Sequence, residues 1–221
     1  MADSGYISSF QREVALAFFA MPESRGFLLV GGAALIAAGV VERVTDDLDF
    51  FAPRSRADVP ATEAAFERVC DERGWLVQVV IDSAEFVRLV VTSGDDELAV
   101  DFGVDADPLL PPTTTFLGPS IPVEENAGRK TLALFGRWLP RDFVDVFALA
   151  ELFGKQRLLE LAAERDAGFD LGFFAQALDQ VATIRPERFP IAPDRVAEVV
   201  AFFTGWAEEI RTQLLEPGTG E

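Results

Sequence analysis

Asp47 and Asp49, in the segment VTDDLDFF, combine the residue type and the spacing that phosphate chemistry requires. In an extended strand, residues two apart point to the same side of the sheet, so both carboxylates share one face. Leu48 and Phe50 then face the opposite way, into a core. Like charges on one strand repel unless a cation or basic groups offset them. The alternative, a solvated surface strand, sits poorly with Phe50 and Phe51 beside the acids. Upstream, Gly31 and Gly32 follow the apolar run FLLV and open an Ala-rich helix. A glycine pair alone is equally a tight turn. Backbone N–H groups at a helix start accept anions, however, and Mg²⁺ prefers carboxylate oxygens while bridging to phosphates. Two acids facing such a turn suit a metal-bound triphosphate, which points to nucleotidyl transfer.

Asp101 extends the pattern. In ELAVDF, Leu98, Val100 and Phe102 share one face and Ala99 and Asp101 the other. Beside the DLDFF strand it completes a three-carboxylate metal site; otherwise it is a strand-terminal acid. Asp105 and Asp107 are nearby competitors in a loop beyond Gly103. Lys130, Arg137 and Arg141 form the basic counterpart, near one face of an ideal helix by their spacings, with Pro140 interrupting. Lys130 is one of only two lysines, and on the nucleotide-binding reading Lys130→Ala weakens nucleotide use more than folding. Asp142 favours a helix start. Asp145, four residues after Arg141, either pairs with it or belongs to the site. Trp138 and Trp206 have the chemistry to stack a base, although core packing is the preferred reading for both, as for Phe143, Phe147 and Phe153. Thr45 lies two residues before Asp47; a phosphate there would set nearly two negative charges against the carboxylates.

The elements that must position these groups follow from patterning. A helix is expected over Ser9 to Ala20, with Phe10, Val14, Ala17 and Phe18 on one face. A strand over Gly26 to Val30 leads through the glycines into a helix to about Val40, and the DLDFF strand follows. Another helix runs from near Pro60 to near Gly74. Strands are expected over Trp75 to Ile81, Glu85 to Thr92 and Glu97 to Phe102, with Ser93-Gly94-Asp95-Asp96 as a hairpin turn. Asp105 to Pro119, rich in Pro and Thr, reads as a crossing between lobes. Everything beyond about Glu124 reads as helical, and the final PGTGE as frayed.

Composition removes several function classes. The 221 residues carry 19 basic and 37 acidic side chains, a net charge of −18, which opposes broad non-specific nucleic-acid binding without excluding a local basic cleft. With no histidine and one cysteine, Cys70, a disulfide framework, zinc sites and histidine acid–base catalysis are all removed. No apolar run nears the roughly 18 residues that span a bilayer. The N-terminal segment lacks the basic stretch of a secretory leader, so a cytoplasmic setting without membrane association is expected.

GGAALIAAG, RVTDDLDFF, ELAVDF and GRKTLALFGRWLPRDFVDVFAL together resemble, in order and spacing, the AbiEii-like nucleotidyltransferase toxin family. The four blocks run from about Leu29 to Leu149. Departures are Glu42 where a histidine often precedes the arginine, Thr45 where serine is common, Thr131 in place of leucine and Val146 in place of leucine. The resemblance implies an α/β (α+β) nucleotidyltransferase core of the polymerase-β type with a mixed sheet, residues 1–120, and a helical C-terminal lobe, residues 121–221. The active site is expected between the lobes. It further implies a toxin of a toxin–antitoxin or phage-defence pair, with a cognate antitoxin as partner. Asp47, Asp49 and Asp101 would hold Mg²⁺, with Mn²⁺ as the alternative ion, and Asp101 would help activate the attacking hydroxyl. Gly31, Gly32, Arg43, Thr45, Lys130, Arg137 and Arg141 would lie against the nucleoside triphosphate, and Asp145 matches the acid of the R-D-x-x-D block. The MenT group of this family modifies the 3′ end of tRNA, and there a residue matching Thr45 is phosphorylated by the antitoxin. Rival expectations are nucleotidylation of a cationic small molecule or of a protein, and a non-catalytic nucleotide-binding relative.

Overall fold

The computed structural model describes residues 5–215. The first four residues of the segment read against a secretory leader, and the PGTGE tail, lie outside the described residues. The chain divides into two compact units, with the boundary between Glu125 and Asn126.

The first unit opens with α1 (Ser9–Ala20), at the bounds its apolar periodicity predicts. Ser8 caps it: the Ser8 hydroxyl accepts from the Gln11 N–H at 3.0 Å, and the Gln11 side-chain oxygen accepts from the Ser8 N–H at 2.7 Å. This reciprocal box satisfies two amides that the first helical turn leaves over. β1 (Leu28–Val30), α2 (Gly31–Ala37) and β2 (Asp47–Pro53) follow. The first strand starts two residues later than the sequence suggests because Gly26 is left-handed (φ 102°). The helix stops earlier because Gly39 turns the chain (φ 75°). α3 (Val59–Arg73) is capped by Asp58, whose carboxylate accepts from the Ala61 N–H, and ends at left-handed Gly74. β3 (Leu76–Asp82), β4 (Phe86–Ser93) and β5 (Asp96–Asp105) complete the predicted strands, with Gly94 in the hairpin turn.

The expected crossing at Asp105 to Pro119 needs correction. It holds β6 (Thr113–Thr115) and leads into β7 (Gly118–Ser120), both in the same sheet. Threonines favour the extended chain, and Pro111 and Pro112 precede β6 at the sheet edge, where no ladder amide is needed. The seven strands are ordered β3-β4-β5-β2-β1-β7-β6. β2 with β5 and β1 with β7 run parallel; the other pairs are antiparallel.

One face of β2 and β5 is anchored by aromatic packing. Phe18 of α1 stacks on Phe50 at 4.0 Å between centroids, and its ring also meets Phe27, Phe66 and Phe102. All five rings are fully buried. Each such pair adds about 0.5–1.5 kcal/mol beyond its buried area. Because Phe50 and Phe102 are committed to this cluster, strand alternation sends Asp47, Asp49 and Asp101 to the other face.

The second unit is helical. α4 (Val123–Arg137) crosses the boundary and is followed by α5 (Pro140–Phe153), α6 (Lys155–Arg165), α7 (Leu171–Asp179) and α8 (Pro193–Leu215). Two short 3₁₀ segments, Gln180–Thr183 and Pro186–Arg188, precede α8. Pro140 sits in the first turn of α5, where its missing N–H costs nothing. Phe143, Phe174, Phe203 and Trp206 form the core. The architecture is thus an α+β fold with a mixed sheet and a helical C-terminal region. No helix among the described residues is long and apolar enough to cross a membrane.

Candidate active site

The parallel pairing of β2 with β5 sets Asp47 opposite Ala99 and Asp49 opposite Asp101. Asp49 and Asp101 are therefore cross-strand neighbours on the face away from the aromatic cluster. Asp47 and Asp49 are partly exposed, while Leu48 and Phe50 between and beyond them are fully buried. β1 brings the glycines alongside, since Val30 pairs with Asp49 immediately before Gly31.

Gly31 and Gly32 are required by proximity. Gly31 has φ 68°, and a Cβ there would lie 2.3 Å from Asp49 Oδ2. A Cβ on Gly32 would lie 2.5 Å from a terminal nitrogen of Arg43 and 3.4 Å from the Thr45 hydroxyl. The glycine turn, Asp49, Arg43 and Thr45 thus form one close-packed group that any larger side chain would disrupt. The buried Thr45 hydroxyl donates to Asp47 Oδ1 at 2.8 Å, orienting that carboxylate. Buried Arg43 donates to the Val44 carbonyl at 2.9 Å. Gln11, the buried capping residue of α1, donates to the Thr45 carbonyl at 2.6 Å and so ties this loop to the helix. Its sequence signal was only that of a helix cap.

Arg88 is the residue of this face that the sequence reading did not single out. On β4 it pairs in register with Asp101. Its guanidinium grips the Asp101 carboxylate with two bonds, Nε to Oδ1 at 2.8 Å and Nη2 to Oδ2 at 2.5 Å. The hydrogen bonds it donates to Asp101 hold the Arg88 pKa above the ordinary arginine value against partial desolvation, and the charges of Asp101, Asp49 and Asp47 add to the effect. One arginine therefore feels all three acids.

Do these residues fit a divalent cation? Asp47 and Asp49 offer hard carboxylate oxygens on one face, with a backbone turn that lacks side chains beside them, which is the donor chemistry Mg²⁺ selects. Asp101 is adjacent in register but directed to Arg88. Accordingly, among the described residues no group of three or more His, Cys, Asp or Glu side chains is arranged to hold a metal. The acids expected to form the metal site are thus brought to one face, with Asp47 and Asp49 partly exposed and Asp101 held by an arginine, and their donor chemistry fits Mg²⁺. A cleft of about 520 Å³ lined by Arg25, Pro53 and Arg56 contains none of these acids.

The second unit gathers the other candidates. Lys130 Nζ lies 2.7 Å from Asp145 Oδ2 and 3.5 Å from Asp142 Oδ1. Arg137 reaches the same Asp142 carboxylate at 2.9 and 3.2 Å. Asp142 and Asp145 are fully buried and Lys130 nearly so. Asp142, which reads in sequence as a helix-start residue, is the hub of this cluster. Arg141 is half-buried in the first turn of α5. An ammonium between two buried carboxylates has a structural role that the sequence reading gave no weight to, so Lys130→Ala is expected to damage folding as well. The two tryptophans part company: Trp206 is core, as expected, but Trp138 is exposed. Cys70 is buried, and burial pushes its thiol up to about 12.

The chain was compared with known proteins. A family model, that of the nucleotidyl transferase AbiEii toxin of type IV toxin–antitoxin systems, matches residues 17–216. No curated protein matches the chain in sequence. Among solved structures, a Helicobacter pylori protein named as a nucleotidyltransferase is 17% identical, covering 94% of this chain and 97% of that chain, with a TM-score of 0.60. JHP933 from the same organism is 14% identical over 94% and 96% of the two chains, with a TM-score of 0.56. MenT4, a nucleotidyltransferase toxin from Mycobacterium tuberculosis H37Rv, is 18% identical over 91% and 92%, with a TM-score of 0.48. The two Helicobacter structures share the fold of this chain.

Proposed function

This chain belongs to the AbiEii family of nucleotidyltransferase toxins, and from that premise we propose that it transfers a nucleoside monophosphate from a nucleoside triphosphate, with Mg²⁺, to the 3′ end of tRNA. The observation that carries the proposal is the face of Asp47, Asp49 and Asp101, on paired strands, with Gly31 closed against Asp49 and Gly32 against Arg43 and Thr45.

In this reaction an oxygen of the acceptor hydroxyl forms a bond to the α-phosphorus, the bond to the bridging oxygen breaks, and diphosphate leaves. Asp47 and Asp49 would hold Mg²⁺, which when bound neutralises charge on the attacking and leaving oxygens. Thr45 fixes one carboxylate rotamer, so little reorganisation is needed at the moment of reaction. The Gly31-Gly32 turn lets backbone approach the triphosphate without side-chain interference. Asp101 would accept the hydroxyl proton, with Arg88 orienting it. Within the second unit we assign Lys130 a positioning role, holding Asp142 and Asp145, and we keep Arg137 and Arg141 as candidate phosphate contacts, of the nucleotide or of the acceptor strand. The family implies an antitoxin partner. We further propose that it acts through Thr45: phosphorylation would replace the bond to Asp47 with like-charge repulsion. On this reading the toxin works in the cytoplasm, where tRNA and nucleotides are found, and phage defence is one setting for it.

The net charge of −18 favours one competitor, a cationic small molecule as acceptor. A single assay separates the two. Label from each α-labelled nucleoside triphosphate should enter total tRNA with the wild type and Mg²⁺, and fail to enter with Asp47→Asn. Active turnover of nucleotide with unlabelled tRNA would move the acceptor elsewhere.

A further inference from the structure

α4 ends at Arg137 and α5 begins at Pro140, leaving Trp138 and Leu139 as the whole connection. Trp138 has φ 36°, and among the described residues it is the one non-glycine residue in the left-handed region. Helices commonly close on such a residue, but glycine is the usual occupant because any Cβ is strained there. Burial does not compensate. Trp138 is 45% exposed, whereas Trp75 is 5% and Trp206 2% exposed, each of these two in contact with a phenylalanine ring. Backbone geometry disfavours an indole at this position, and burial offsets that less than it would at the other two tryptophans. Its flanks do suggest a use: Arg137 precedes it with a side chain that is half-exposed while bonded to Asp142, and half-buried Arg141 follows three residues on. An exposed aromatic face between arginines is how proteins hold an unpaired base and its phosphates. On a chain of net charge −18 such a short basic patch suits a strand end rather than a long duplex.

We propose that Trp138 is a stacking platform for an unpaired base of the RNA acceptor strand, with Arg137 and Arg141 as neighbouring phosphate contacts. The proposal rests on the RNA-acceptor reading and adds to it a residue outside the acid face. It also makes a separable prediction. Trp138→Gly relieves the left-handed strain, so the variant should melt at the wild-type temperature or higher while losing RNA.

The probe is a short single-stranded oligoribonucleotide with a free 3′ hydroxyl, titrated at one fixed low salt concentration. Binding is followed by anisotropy of a dye on the RNA and, separately, by indole emission, to which Trp138 contributes the only exposed indole among the described residues. Emission should be quenched as wild type binds. Trp138→Gly should bind about 5- to 150-fold more weakly, and Trp138→Phe should recover much of the loss. Equal binding by wild type and Trp138→Gly would overturn the platform while leaving the RNA-acceptor reading standing. A lower melting temperature for Trp138→Gly would make the indole a packing residue and also overturn it. No binding by the wild type itself would bring down the RNA-acceptor reading, and the platform with it.

Discussion

Asp49 and Asp145 are the same side chain in opposite settings. Asp145 is fully buried, on a helix, with the Lys130 ammonium 2.7 Å away and Asp142 sharing that lysine. Asp49 is half-buried on a strand, beside Asp101 and against a glycine turn that leaves no room for a Cβ. In the helical cluster the opposite charges are brought into direct contact and water is excluded, so the group behaves as part of the core. On the sheet face Asp47 and Asp49 remain partly exposed, while Asp101 beside them is buried and held by Arg88. Charge neutralised inside a core gives stability its leverage, whereas partly exposed carboxylates give chemistry its opening. This difference predicts which substitutions change activity and which change folding.

The largest expected effect is on catalysis. Asp47→Asn or Asp49→Asn should lower nucleotide transfer by about 1000-fold or more, on the scale of losing a principal electrostatic group, with melting unchanged or slightly raised. Parallel loss of folding would erase the contrast. Next comes Lys130→Ala, which leaves two buried carboxylates without their shared cation. It should cost about 3–5 kcal/mol in denaturant unfolding, and an unchanged midpoint would show that the cluster is not a stabilising unit.

Arg88→Gln tests the boundary between the two behaviours. Losing its pair of charge-assisted bonds to Asp101, at a half-exposed site, should cost about 1 kcal/mol in metal-free protein. Mg²⁺ should restore part of that, because the freed carboxylate becomes available to it; no restoration would separate Asp101 from the metal-binding acids. The smallest effect is a control on acidity itself. Burial holds Glu63 above the ordinary carboxylate range, and the charges of Asp82 and Glu67 add to it. A carboxyl raised by folding destabilises when ionised, so its contribution is lost as pH rises from the ordinary value through the raised one. Glu63→Gln should therefore gain a few tenths of a kcal/mol at neutral pH and nothing below the ordinary carboxylate range. It should leave transfer unchanged.

Much of the sheet face was legible because it depends on local rules. Period-two alternation puts Asp47 with Asp49 and Leu48 with Phe50, and a glycine pair after an apolar strand announces a close approach. Arg88 was legible in principle. The Ser93 to Asp96 turn fixes the β4–β5 register, and counting five residues back from Ser93 and five on from Asp96 pairs Arg88 with Asp101. The helical cluster was not legible to the same degree. Spacing placed Lys130 and Arg137 on one face of α4, but their meeting with Asp142 is a tertiary contact that no helical period contains. β6 and β7 were hidden by prolines, which argue against strands except at edges, where β6 lies. Trp138 was read as core in preference to base stacking because an aromatic beside an apolar helix usually packs, and its left-handed backbone and exposure are visible only in the structure.

The most direct test of the account is the position of Mn²⁺ in crystals grown with a nucleoside triphosphate analogue that resists transfer. The account predicts an anomalous peak coordinated by the carboxylates of Asp47 and Asp49, with the triphosphate along the Gly31-Gly32 turn. Nucleotide bound with its metal elsewhere, for instance at Glu63, Glu67 and Asp82, would contradict it.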